Sequence, residues 1–136
     1  MALETSYFQL PPTLADEIEK FAVTVEQFRD GALTPEEFRA PRAGFGIYQQ
    51  RPPDTFMLRV RCTGGGILPR HLRTIAALAT EYGGDELHLT TRQEFQIHDL
   101  QLTALIGVLR RLYAAGLATR GGCGNAIRNI VASWDA

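Results

Sequence analysis

Two short stretches of this sequence gather side chains that could hold an anion. In Phe56-Met57-Leu58-Arg59-Val60-Arg61-Cys62 apolar and polar residues interleave, and the pattern returns from Glu86 to His98. Side chains alternate across a strand. One face would carry Leu58, Val60 and Cys62 with Leu87, Leu89, Thr91, Gln93, Phe95 and Ile97. The other would carry Met57, Arg59 and Arg61 with His88, Thr90, Arg92, Glu94, Gln96 and His98. Guanidinium forks, joined by hydroxyl, amide and imidazole donors and offset by the single acid Glu94, suit a ligand with many negative oxygens. A plain solvated face is the other reading, and alternation alone leaves both open.

Other chemistries find less support. Cys62 and Cys123 are the only cysteines. They make neither a disulfide framework nor a metal centre, which usually takes four ligands. They read as two unrelated reduced thiols, and no metal ligands are assigned. Gly64-Gly65-Gly66 before a helix could cradle an anion, but no Gly-Lys-Ser/Thr follows. Gly122-Cys123-Gly124 lacks the rest of a dinucleotide fingerprint. No Gly-x-Ser-x-Gly elbow surrounds Ser6 or Ser133.

The elements that would position the polar face follow from periodicity and caps. Residues 56–62 and 86–98 are expected strands. The spacing predicts a helix over Pro69 to Tyr82, with Leu72, Ile75, Ala76 and Ala79 on its inner face, and another over Leu102 to Ala115. Residues 127–132 read as a short strand. Strand, helix, strand, helix gives an α+β fold, a βαβα sheet with its helices on one face and the other face free. Residues 1–43 read as a short helical N-terminal arm. Thr13 would cap a helix from Leu14 to Phe21, and Thr24 with Gln27 would start a further turn that Asp30-Gly31 ends. Thr34-Pro35-Glu36-Glu37 would open another helix that Pro41 closes.

The 136 residues suit one domain, and 45% apolar content is enough for a core. No apolar run reaches about 20 residues, and the N-terminus lacks a secretory pattern, so no membrane association and a cytoplasmic location are expected. The net charge of −1 hides an asymmetry. Eight acids and three bases lie in residues 1–40, against seven acids and eleven arginines thereafter. No nucleic-acid partner is expected, because the chain is not basic overall and the polar face has no stacking aromatics at its centre.

Three runs then stand together: Met57 to Gly66, the Leu89-Thr90-Thr91-Arg92-Gln93-Glu94-Phe95-Gln96-Ile97-His98 segment, and Gly124-Asn125-Ala126-Ile127-Arg128-Asn129-Ile130. Over about residues 44–131 the sequence resembles the ferredoxin-like half-domain of siroheme-dependent nitrite/sulfite reductases. The resemblance implies a half-domain, and the start of a siroheme/iron–sulfur domain, over 44–136. It also implies six-electron reduction of sulfite to sulfide or of nitrite to ammonia, at a siroheme bridged to a 4Fe-4S cluster. By position, Arg59 and Arg128 match arginines that bind the anionic substrate. Arg61, Thr90, Thr91, Arg92, Gln96, His98 and Asn129 fall in cofactor-contacting segments. Siroheme carries eight carboxylates, which an arginine-rich face would match.

The family's four cluster cysteines, its assisting lysines and its second half-domain have no counterpart here. The expectation is therefore a fragment that contributes the arginine face but is inactive alone and binds no cofactor by itself. The remaining C-terminal domains of a reductase would be its partners, with the electron donor unknown. In isolation a homodimer would cover the exposed surface. The alternative is a stand-alone, non-catalytic module that binds a tetrapyrrole or another polyanion.

Overall fold

In the computed structural model, which describes residues 9–133 and 135, the chain runs α1 (Leu14–Arg29), α2 (Pro35–Gly44), β1 (Ile47–Gln49), β2 (Thr55–Val60), α3 (Pro69–Tyr82), β3 (Leu87–Leu89), β4 (Phe95–Gln101) and α4 (Leu105–Ala114). The first eight residues of the expected arm, Ser6 among them, lie outside the described residues. The four strands form one antiparallel sheet in the order β1-β2-β4-β3. β2 and β3 therefore run parallel with β4 between them, so β2–α3–β3 is a split βαβ unit of the ferredoxin-like kind.

Alternation holds in β2. Phe56, Leu58 and Val60 are fully buried and Cys62 nearly so, while Met57, Arg59 and Arg61 lie on the half-exposed opposite side. Alternation fails across 86–98, because that stretch is a hairpin and not one strand. β3 and β4 pair as Leu87 with Ile97, His88 with Gln96 and Leu89 with Phe95, around a turn at 90–94. Further along β4 an extra residue enters: Phe56 faces Leu100 while Leu58 faces Ile97. This bulge, with Asp99 at φ 60°, turns both Ile97 and Leu100 into the core.

The helices depart from expectation in detail. α1 is continuous to Arg29, because Thr24 bonds back to the Lys20 carbonyl (3.4 Å) instead of starting a new turn. Thr13 precedes it, but its hydroxyl donates to the Glu17 carboxylate and caps no backbone N–H. Thr34 does cap α2: its hydroxyl accepts from Glu37 N–H (3.2 Å) and the Glu37 carboxylate accepts from Thr34 N–H (2.8 Å). Pro41 does not end α2, which continues to Gly44. α3 has the expected bounds but buries His71, Ile75, Leu78 and Ala79, leaving Leu72 exposed. Residues 127–132 form no strand, and Ile127 and Ile130 point outward. α1 and α2 add Leu14, Ile18, Phe21, Val25 and Phe38 to the same core as the sheet. No helix among the described residues is long and apolar enough to cross a membrane.

Candidate functional site

The hairpin turn builds the centre of the site. Thr90 N–H donates to the Glu94 carbonyl (2.8 Å), and the Thr90 hydroxyl oxygen accepts from the N–H groups of Arg92 (3.3 Å) and Glu94 (3.1 Å). Gln93 takes a left-handed conformation (φ 57°). The turn thus needs no glycine, since a side chain supplies the acceptor. It points Glu94 inward, 3% exposed, and leaves Thr91 and Arg92 outside.

Four arginines gather around that carboxylate. Arg61 Nε lies 2.7 Å from Glu94 Oε1, although the pair is not aligned for a hydrogen bond. Burial pushes the Glu94 carboxyl above its ordinary range, and the pull of Arg61, then Arg59, Arg92 and Arg128, offsets this only in part. Arg59 leaves β2, and Arg61 follows just past its end, on the side away from the core; Arg92 comes from the turn and Arg128 from the C-terminal segment. Glu94 was legible only as one acid in a polar row, and the structure makes it the hub.

The C-terminal segment crosses this group. Gly122 O accepts from Arg59 Nη1 (3.1 Å), and the carbonyls of Gly121 and Ile127 accept from Arg61. Asn129 is buried, and its amide donates to the carbonyls of Cys62 and Arg92, both at 2.9 Å. Asn129 thus fastens the end of β2 to the hairpin turn. Arg92 Nη1 reaches back to Asn129 O (3.5 Å). The close approach depends on Gly46 (φ 72°), where an added Cβ would sit 2.7 Å from Thr119 O. Below Arg59 lies the Tyr48 ring, with the guanidinium carbon 5.6 Å from its centroid; burial, then Cys123, pushes the Tyr48 hydroxyl above its ordinary range, with Arg59 and Arg128 opposing. Arg59 Nε is buried without a hydrogen-bond partner. Cys62 lies beneath, its thiol pushed up to about 11 by burial and then by Glu94, and is unreactive as a nucleophile.

Gln96 and His98 extend the same face along β4. His98 Nε2 bonds Gln96 Oε1 (3.1 Å), its Nδ1 meets Gln50 Nε2 (3.4 Å), and its ring lies 4.4 Å from that of His88. The predicted residues thus fall into an arginine group (Arg59, Arg61, Arg92, Arg128, with Asn129) and an imidazole pair farther along the face. Thr90 serves the turn and Thr91 stands at its tip. No group of three His, Cys, Asp or Glu among the described residues could hold a metal ion.

The imidazole pair has a pH consequence. Burial, then His88, lowers the His98 pKa from its ordinary 6.5, against the opposing pull of Asp99 and Glu86. A folded value below the unfolded one contributes stability above 6.5 that is lost as pH falls through the folded value. Urea midpoints of the wild type should therefore drop on acidification below pH 6.5 more steeply than those of His98→Gln. Parallel pH profiles would contradict this.

The chain compares with known proteins as follows. The family model described as the nitrite/sulfite reductase ferredoxin-like half domain matches residues 48–115. The sulfite reductase [NADPH] hemoprotein beta-component of Nitrobacter hamburgensis is 38% identical over 101 residues, 64% of this chain and 18% of that protein. The sulfite reductase [ferredoxin] of Synechococcus elongatus is 42% identical over 97 residues, 64% of this chain and 16% of that protein. The solved structure of the Mycobacterium tuberculosis NirA protein shares the fold, with TM-score 0.71 at 24% identity over 91% of this chain and 28% of that one. The chain thus spans under a fifth of the length of these two curated relatives. With the family model covering half the chain, the chain belongs to the nitrite/sulfite reductase family, through that family's ferredoxin-like half-domain.

Proposed function

We propose that this chain supplies the arginine-lined half of the siroheme and substrate cradle of a sulfite or nitrite reductase. The observation that carries the reading is the convergence of Arg59, Arg61, Arg92 and Arg128 on one buried acid, at the open face of a family half-domain. One carboxylate among four guanidiniums leaves a net cationic surface. That set fits a ligand bearing many carboxylates. Arg61, Arg92, Gln96 and His98 would hold the macrocycle's acid groups, with Thr90, Thr91 and Asn129 shaping the turn beside it. Arg59 and Arg128 would orient the small oxyanion and neutralise its charge. Siroheme, with its iron–sulfur cluster, supplies the electron-transfer chemistry when bound.

The two cysteines of the chain cannot provide four cluster ligands, so the 136 residues alone should drive no viologen-linked reduction of sulfite or nitrite. The rest of the reductase is the proposed partner, and the setting is cytoplasmic. In isolation the unpaired outer edges of β1 and β3 offer a route to a homodimer.

Absorbance titration of the chain with siroheme tests the reading. No cofactor is expected to stay with the isolated chain as it stands, but siroheme supplied in excess should bind saturably, and Arg92→Ala should weaken that binding about tenfold, the loss of one charge-assisted contact. No binding, or equal binding by the variant, would overturn it.

A further inference from the structure

A cleft of about 570 Å³ lies between α2, β1 and the C-terminal segment. Its walls include Glu36, Arg39, Arg42, Tyr48, Cys123 and Arg128. Three guanidiniums against one carboxylate give its lining a formal charge of +2. The single acid is already engaged, since Glu36 lies 3.6 Å from Arg39. Arg42 is held in place: Nη1 donates to the Ile47 carbonyl (2.9 Å). Its Nε is buried and has no partner. Burial also disfavours the charged form of Arg42, a cost that an incoming anion would offset. The cleft has the size of an organic-ligand site and far exceeds one small oxyanion. Arg128 and Tyr48 belong both to this cleft and to the group around Arg59, so the two cationic surfaces are continuous.

We propose that this cleft is a second carboxylate subsite, in which Arg42, with Arg39, takes acid groups of the polycarboxylate ligand beyond those met by the sheet face. The inference rests on the cradle reading above and extends it to α2, a helix outside the matched half-domain. The shared chemistry is that of a multiply charged oxyanion, supplied by a carboxylate arm of the ligand or by a free inorganic anion.

The test titrates the whole chain with uroporphyrin, an iron-free octacarboxylate, and separately with inorganic sulfate, following the arginine Nε–H resonances by NMR. Uroporphyrin is expected to shift Arg42 Nε–H, and Arg42→Gln and the exposed Arg39→Gln should each weaken its binding, Arg42→Gln by about tenfold. Among the described residues Arg39 is a largely exposed side chain whose ion-pair partner is Glu36 on its own helix, so its variant keeps the test readable if Arg42→Gln unfolds. Uroporphyrin binding that Arg92→Ala weakens but both α2 variants leave unchanged would overturn the subsite and spare the cradle. Sulfate bound at Arg42 without porphyrin binding would support an anion site of solution origin and sink the cradle. Silence in both titrations would overturn both.

Discussion

Replacing Phe38 with alanine should destabilise the fold by about 3–5 kcal/mol, the loss of a fully buried aromatic ring and the cavity it leaves. Phe38 is 1% exposed and sits at the junction of the helices with the sheet. Its ring stacks on Phe28 (centroids 4.2 Å apart, planes within 7°) and meets Phe56 of β2 edge-on at 6.3 Å. Phe21 lies 6.0 Å away and itself stacks on Phe45 at 4.6 Å. α2 is therefore tied to the sheet by this ring and by the Arg42–Ile47 hydrogen bond, and α2 also positions the chain that leads into Tyr48. Urea unfolding should show a lower midpoint with an unchanged slope. Phe38→Leu should lose less than half as much, because volume is largely kept. A loss below about 1 kcal/mol for the alanine variant would mean that α2 is not part of the cooperative core.

Glu94→Ala should cost about 3 kcal/mol, because it strips the nearest counter-charge from Arg61 inside a largely water-free pocket. The Arg61 and Glu94 side chains are 20% and 4% exposed, so water replaces the lost partner only in part. Glu94→Gln should cost only about 1 kcal/mol, since burial already works against the charged carboxyl and the amide keeps its shape. The folded value of Glu94 lies above the ordinary 4.5, so its contribution is full below that pH and is lost as pH rises through the folded value. The stability advantage of wild type over Glu94→Gln should therefore be larger in acid than at neutral pH. Equal, small losses for both variants would show that the Gly121 and Ile127 carbonyls alone satisfy Arg61.

Much of the frame was legible because its signals are local. The Thr34 capping box, the bounds of α3 and the alternation of β2 each follow from neighbours a few residues apart. The hairpin from Leu87 to Gln101 was not legible, for its turn contains neither glycine nor proline. A threonine hydroxyl and a left-handed glutamine replace them, and that chemistry leaves no distinctive signature in sequence. The bulge at Asp99 also breaks the period that alternation relies on. Residues 127–132 are β-branched enough to suggest a strand, yet they are held by side chains instead: Asn129 to two carbonyls, and Gln93 to Ala132 O (3.0 Å).

The same distinction governs the site. Arg59 and Arg61 share a face because β2 puts them there. Arg92 and Arg128 join them through a turn and a coil, which no periodicity places. Glu94, counted from the sequence as a surface acid, is buried because the turn inverts the expected alternation. The part of the site carried by tertiary contact, including Tyr48 beneath Arg59, could be found only in three dimensions.

Paramagnetic broadening of amide resonances by the siroheme iron tests the central claim most directly. With siroheme added to the isotope-labelled chain, signals of residues 57–61, 92–98 and 128 should broaden first, while those of α3 and α4 stay sharp. Broadening centred on the helical side of the sheet would place the ligand on the wrong face and end the account.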